Sequence, residues 1–160
     1  MIPLPDFPVW GGCKCGALRY RLEAEPRSVY ACHCKDCQRE TGGPYSVGIL
    51  AWRKDFVQVV GAGNVVTLHK VAESGRAVAQ HLCATCFTRV WHDPAGDQSI
   101  IVIRAMTLDD PSWIEPVVQI WTSSRLPFVK LDHHLPTYER QAPSRDAFYQ
   151  AWNAKRGSTY

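Results

Sequence analysis

The chain of 160 residues has 46% hydrophobic residues, seven cysteines and a formal net charge of +3. This length and composition predict one globular domain over residues 1–160 that can bury a sizeable core by itself. The charge is small and the basic residues are scattered, unlike the clustered basic face of a nucleic-acid-binding protein. The longest apolar runs, such as residues 47–52, are far too short to span a bilayer. Neither nucleic acid nor a membrane is therefore an expected partner.

The amino-terminal stretch contains no basic segment followed by an apolar one, so no secretory signal is predicted. The expected compartment is then the cytoplasm, where thiols stay reduced and free to bind metals. An odd number of cysteines agrees with this, because a disulfide framework would leave one thiol unpaired. The sequence therefore predicts a cytoplasmic protein whose cysteines bind zinc.

The predicted elements are short strands separated by turns. Residues 1–9 contain three prolines and are expected to form an extended arm. Alternating or continuous apolar character predicts strands over residues 17–22, 28–31, 45–52, 56–60, 65–71, 77–82, 88–92, 99–104 and 117–121. A single helical turn is predicted over residues 35–41, and a hairpin turn over residues 93–97. This order of elements is typical of a mainly β fold.

One longer helix is predicted near the carboxyl end, over about residues 144–154. Ser144 follows a proline and is the expected N-cap. Phe148 and Trp152 are four residues apart, which places them on one face of the helix. That face is expected to be buried.

All seven cysteines lie in closely spaced motifs. They form two outer pairs and one central triplet: Cys13 and Cys15, Cys83 and Cys86, and Cys32, Cys34 and Cys37. A structural zinc takes four protein ligands, whereas a catalytic zinc keeps one position open. The two outer pairs together therefore predict a closed four-cysteine site, which joins the start of the chain to its middle. The central triplet then predicts a second zinc with an open position for substrate.

Two other assignments are compatible with the spacing. In the first, the central triplet shares a four-cysteine site with one of the outer pairs. In the second, a histidine closes the central site as its fourth ligand, the candidates being His33, His81 and His92. His33 lies between two cysteines, so its side chain is expected to point away from theirs. His81 and His92 flank Cys83 and Cys86. Each is expected either at the surface or in contact with these cysteines without binding the metal.

The three cysteine motifs, in this order, resemble the glutathione-dependent formaldehyde-activating enzyme family. The resemblance includes Gly-Gly before Cys13 and Arg19-Tyr20 after Cys15, and it extends over about residues 11–138. It implies a zinc-stapled β-tent of antiparallel sheets with short helices. It also implies two Zn²⁺ ions per chain, with the outer pairs on a structural zinc and the central triplet on a catalytic zinc. The implied activity is that of a carbon–sulfur lyase that joins or cleaves glutathione and formaldehyde.

The implied partner is a small thiol such as glutathione, and the sequence is also compatible with a homo-oligomer. Four basic residues are candidates to hold the carboxylates of such a thiol: Lys35, Arg39, Arg53 and Arg76. Trp52 and Trp121 are candidates to line its groove. The alternative function is a non-catalytic, zinc-stapled binding module.

The chain departs from the family pattern at three places outside the metal motifs. Phe87 stands where the family commonly has glycine, Gln119 where it has histidine, and Phe128 where it has tryptophan. These departures leave the metal ligands intact and leave the exact substrate open.

Overall fold

A computed structural model describes residues 3–94 and 96–157 of the chain. The strands are β1 Val9–Gly12, β2 Arg19–Leu22, β3 Ser28–Cys32, β4 Ser46–Trp52, β5 Phe56–Val60, β6 Val65–Val71, β7 Ala77–Cys83, β8 Arg89–Pro94, β9 Ile100–Arg104 and β10 Val118–Ile120. The helices are α1 Lys35–Thr41 and α2 Asp146–Arg156. Over the described ranges, neither helix has the length and apolar character needed to cross a membrane.

The strands form two sheets. The small sheet has the order β1-β2-β5 and the large sheet the order β10-β3-β4-β9-β8-β7-β6. All pairings are antiparallel except that of β10 with β3, which is parallel. The predicted fold class, mainly β with antiparallel sheets and short helices, is confirmed.

One face of the large sheet packs against the small sheet. Tyr20 of β2 stacks on Phe56 of β5 at 5.1 Å, and Phe56 in turn packs against Trp91 of β8 at 5.1 Å. Ile103, opposite Trp91 in the register, is fully buried on the same face. Because successive residues of a strand point to opposite faces, the neighbours of these residues face away from the small sheet. That second face of the large sheet carries the candidate site.

The structure differs from the sequence-based expectation at both ends of the chain. β1 occupies residues expected to precede any regular structure, because Val9–Gly12 pairs with β2 through non-local hydrogen bonds. The prediction of Ser144 as an N-cap is wrong. The first turn of α2 closes on the carbonyl of Arg145, which accepts from the amides of Phe148 and Tyr149, and no side chain caps this end. Phe148 and Trp152 are buried, as predicted.

Two expectations include positions outside the described residues. The predicted arm begins with residues 1 and 2, and the predicted turn over residues 93–97 contains residue 95. β8 itself continues to Pro94, so the strand extends into the segment expected to turn.

Candidate functional site

The outer pairs come together from separate parts of the chain. Cys13 and Cys15 follow β1, whereas Cys83 ends β7 and Cys86 lies in the turn before β8. The four sulfurs all lie within 4.8 Å of one another. Cys13 Sγ is 3.4 Å from Cys15 Sγ, and Cys15 Sγ is 3.8 Å from Cys83 Sγ. Four sulfurs at about 2.3 Å around a tetrahedral zinc would be about 3.8 Å apart, so this donor set fits a closed zinc site.

Neutral N–H groups surround the outer four sulfurs. The Leu18 amide lies 3.3 Å from Cys13 Sγ, and Asn64 Nδ2 lies 3.5 Å from Cys83 Sγ. Gly16 provides the left-handed turn, at φ +79°, that brings Leu18 back over the first pair. Such donors favour the thiolate form that a metal requires.

Phe87 lies directly after this cluster, at one of the positions where the chain departs from the family pattern. Its φ is +56°, in the left-handed region, and its side chain is 67% exposed. Glycine adopts this conformation readily, whereas a residue with a Cβ is strained by roughly 1–2 kcal/mol. The backbone here therefore has the conformation that favours glycine, although the chain carries an aromatic residue.

The central triplet surrounds the start of α1. Cys32 ends β3, Cys34 is the N-cap of α1, and Cys37 lies in its first turn. Their sulfurs also lie within 4.8 Å of one another. The Cys34 sulfur accepts a hydrogen bond from the Cys37 amide at 3.4 Å. The thiols of Cys32 and Cys34, together with nearby Arg104, hold the pKa of Cys37 well below its usual value.

The structure brings the seven thiols together as four and three, as the ligand count predicts. Within residues 3–94 and 96–157, no histidine nitrogen joins either cluster. His33 is buried and packs against Tyr45, with ring centroids 5.1 Å apart. His81 stacks on Trp91 at 4.6 Å, and its Nε2 lies 2.9 Å from Asp93 Oδ2. The assignment with a histidine as fourth ligand therefore has no geometric support.

The expectation for His92 is wrong. Trp91 faces the small sheet, so the next residue of β8 points to the opposite face and away from Cys83 and Cys86. There His92 lines a cavity, and its Nδ1 accepts a hydrogen bond from Arg89 at 2.7 Å. Burial and the positive charges of Arg89 and Arg104 hold the pKa of His92 well below its usual value.

That cavity has a volume of about 610 Å³ and lies over the second face of the large sheet, between α1 and α2. All three cysteines of the central triplet line it. Its floor is built from alternate strand residues, including Tyr30 and Cys32 of β3 and Ser46, Gly48 and Leu50 of β4. None of the four outer cysteines lines it.

A cluster of charges lies beside Cys37. Glu40 of α1 forms ion pairs with Arg89 and Arg104 and accepts a hydrogen bond from Gln80 at 2.6 Å. Arg104 Nη1 also lies 3.9 Å from Cys37 Sγ. The side chains of Arg104 and Arg89 are only 12% and 13% exposed. Burial alone would lower the pKa of Arg104, but the charges of Cys37 and Glu40 raise it.

Sequence reasoning missed this cluster, although part of it has a local signal. Glu40 follows Cys37 by three residues, which places both side chains on one face of α1. Arg104 ends the otherwise apolar strand β9. The contacts of these residues with Arg89 depend on the pairing of β8 with β9, which spacing along the chain does not specify.

Of the four predicted basic residues, only Arg76 lines the cavity. Lys35 Nζ donates to the Ser124 carbonyl at 3.2 Å, Arg53 pairs with Asp93, and Arg39 is exposed. Of the two tryptophans expected to line a groove, Trp121 lines the cavity, whereas Trp52 packs against Tyr149.

The chain was compared with known proteins. The model of the glutathione-dependent formaldehyde-activating enzyme family matches residues 8–124, which is well over half of the chain. The chain therefore belongs to this family. The fold is similar to that in a crystal structure of a Rhodobacter sphaeroides protein, with a TM-score of 0.52 and 20% identity over 67% of this chain and 91% of that one. Among curated proteins, no match is found.

Proposed function

We propose that this protein is a carbon–sulfur lyase that joins or cleaves a thiol and an aldehyde at the central triplet. The observation that carries the proposal is the position of three thiols, within 4.8 Å of one another, at the wall of a large cavity. A catalytic metal site needs such an arrangement, with protein ligands on one side and space for substrate on the other. Membership of the formaldehyde-activating family supports thiol and aldehyde chemistry.

Two zinc ions per chain are part of this proposal. Cys13, Cys15, Cys83 and Cys86 would hold one ion as a closed structural site, and Cys32, Cys34 and Cys37 would hold the other. A bound zinc at the triplet would supply Lewis acidity and favour the thiolate form of a substrate thiol. The three-sulfur donor set suits zinc, which prefers Cys ligands in tetrahedral sites.

The charged cluster would keep the site electrically balanced. Arg104 lies against Cys37 and offsets negative charge on the thiolates. Glu40 holds Arg104 and Arg89 in place through ion pairs on the same carboxylate. The two mostly buried guanidinium groups therefore face one carboxylate and one thiolate, and neither is left without a counter-charge.

Tyr30 is the proposed proton donor. Its ring lies over Gly48, where a Cβ would come within 2.8 Å of it, so glycine at this position leaves room for the phenol in the cavity floor. Burial raises the pKa of Tyr30, so the hydroxyl remains protonated at neutral pH. In the forward reaction the thiol sulfur bonds to the carbonyl carbon, the C=O double bond becomes C–OH as the oxygen takes the proton of Tyr30, and the proton lost from the thiol restores the Tyr30 hydroxyl.

The proposal is tested by measuring zinc per chain and thiol–aldehyde turnover in the wild type and in Cys34→Ser. We expect two zinc ions in the wild type and one in the variant, which stays folded but loses turnover. Lys130→Ser, a surface change outside the cavity, is the control and should match the wild type. One zinc in both proteins, without turnover in either, would favour the non-catalytic binding module instead.

A further inference from the structure

The cavity extends far beyond the central triplet. Ser46 of β4 lies opposite Cys32, and Leu50, four residues further along β4, lies opposite Val102 of β9. All four residues line the cavity. A strand rises about 3.3–3.4 Å per residue, so the row of Leu50 and Val102 is about 13 Å from the row of Cys32 and Ser46. An adduct of formaldehyde, which adds one carbon to the thiol, would occupy only the first row.

The end of the cavity away from the triplet has a mainly apolar floor and side wall, although residues 144–146 beside it also line the cavity, with Arg145 paired to Asp97. Leu50 and Val102 form its floor, and Phe148 of α2 forms a side wall together with Ala142 and Pro143. Phe148 is held by an edge-on contact with Tyr30, with ring centroids 5.2 Å apart. Removing apolar surface from water is favourable, so walls of this kind favour binding of an apolar ligand that covers them. The volume of about 610 Å³ falls within the range of about 300–1,000 Å³ typical of pockets for drug-sized ligands.

The charges in the cavity indicate how a ligand would be oriented. On the floor, Arg89 and Arg104 are already paired with Glu40, so they offer little to an anionic substrate. Arg76 is exposed on the β6–β7 hairpin and forms no ion pair with any residue in the described ranges. That hairpin contacts α1, since Glu73 accepts a hydrogen bond from the Lys35 amide at 2.7 Å. Asp36 and Glu73 also line the cavity, and they are engaged by Lys70 and by the Lys35 amide. A carboxylate on the thiol partner would therefore meet Arg76, which leaves the apolar end for the other reactant.

We propose that the aldehyde partner carries an apolar group, an alkyl chain or an aryl ring, that occupies the far end of the cavity against Leu50, Val102 and Phe148. This inference rests on the function proposed above. The reaction is the same: the thiol S–H and the aldehyde C=O are consumed, a C–S bond and a C–OH group form, and no other reactant is needed.

The first test is a comparison of substrates with the zinc-loaded full chain. Turnover with glutathione is measured for formaldehyde and hexanal, with the uncatalysed rate subtracted. We expect kcat/KM for hexanal to exceed that for formaldehyde at least tenfold. Val102→Phe, which fills the far end, should lower the hexanal-to-formaldehyde ratio at least tenfold. The same substitution at Val66, an exposed residue that does not line the cavity, is the matched control and should leave the ratio unchanged.

The second test measures binding and needs no turnover. S-hexylglutathione and S-methylglutathione are thioethers that cannot react, and their dissociation constants are measured by calorimetry. We expect the hexyl compound to bind at least tenfold more tightly, with the preference lost in Val102→Phe and kept in Val66→Phe. Turnover of formaldehyde with no preference for the apolar compounds would overturn this inference and leave the proposed function standing. Absence of turnover with every aldehyde would overturn both.

Discussion

The two cysteine clusters use the same ligand type in opposite surroundings. The outer four thiols lie at strand ends and turns, close on one another and do not line the cavity. The central three lie at a helix start and line a cavity of about 610 Å³. Neutral donors such as the Leu18 amide surround the first cluster, whereas the ion pairs of Glu40 lie beside the second. Ligand number and access to space, rather than ligand chemistry, therefore distinguish the proposed structural site from the proposed catalytic one.

The largest effect is expected from removing one outer ligand. Cys83 is fully buried and joins β7 to the first pair, so Cys83→Ser should abolish the structural zinc. Binding of a structural zinc contributes on the order of 10 kcal/mol to folding in small zinc domains, so this variant should be unfolded or melt far below the wild type. Thermal unfolding followed by circular dichroism measures the effect. Cys32→Ser, also buried, is the matched control and should remain folded. Equal losses of stability in the two variants would contradict the assignment of different roles to the two cysteine clusters.

The next effect concerns the charges beside the central triplet. Glu40→Gln removes the carboxylate shared by Arg89 and Arg104, whose side chains are only 13% and 12% exposed. Glu40 itself is exposed to water, and leaving two mostly buried donors without their acceptor costs about 1–3 kcal/mol, so we expect a loss of stability at the lower end of that range and a loss of turnover. Urea unfolding and initial rates measure the two effects. Glu139→Gln, an exposed residue outside the cavity, should change neither. A Glu40 variant as stable as the wild type would contradict a stabilising role for its ion pairs with Arg89 and Arg104.

A comparison of Tyr30 with Tyr20 distinguishes an effect on turnover from an effect on stability. Tyr30→Phe removes the proposed proton donor and should lower kcat by about 100-fold, a typical loss for general acid catalysis. Tyr20→Phe is the matched control, because Tyr20 hydrogen-bonds Thr107 at 2.9 Å and does not line the cavity. It should keep full turnover and lose about 1 kcal/mol of stability. Similar turnover in the Tyr30 variant and the wild type would remove Tyr30 from the mechanism.

The cavity should also show a pH dependence through His92. Its pKa is well below the usual value in the folded state, so below about pH 6.5 the unfolded chain binds a proton that the folded chain does not. Stability contributed in this way is present above pH 6.5 and lost as the pH falls, by up to about 1.4 kcal/mol per pH unit. We expect His92→Asn to lose less stability than the wild type as the pH falls from 6.5 to 5. His133→Asn, at an exposed position, should follow the wild type. Parallel curves for His92→Asn and the wild type would contradict burial of a neutral imidazole.

The smallest effect on stability is expected at Phe87, next to the outer cysteines. Phe87→Gly relieves the left-handed conformation at φ +56° and should stabilise the chain by about 0.5–1 kcal/mol. Phe128→Gly is the matched control, since Phe128 is 72% exposed and is not among the described residues with positive φ. Chemical denaturation of both variants gives the difference. A loss of stability in Phe87→Gly would show that the aromatic ring contributes more than the strain costs.

The local sequence pattern was sufficient to predict the parts of this protein whose contacts join residues close in the chain. β6 was predicted at its observed bounds, Val65–Val71, because a turn signal precedes an uninterrupted strand pattern. The helical turn over residues 35–41 corresponds to α1. The buried pair Phe148 and Trp152 followed from spacing on one helix face. The ligand count likewise predicted the grouping of thiols into four and three, since the number of coordination positions on zinc restricts how seven sulfurs divide.

Tertiary structure decided what depends on register and on which face of a sheet a residue occupies. β1 exists because β2 pairs with it, although its own residues gave no strand signal. His92 lies in the cavity because Trp91 packs towards the small sheet. Glu40, Arg89 and Arg104 meet because α1 crosses the face of paired strands β8 and β9. The amino-acid sequence by itself determined the three cysteine motifs, whose spacing is local. The long-range strand pairing determined the cavity and its charges, since the contacts of Arg104 with Glu40 and Cys37 join residues 64 and 67 positions apart.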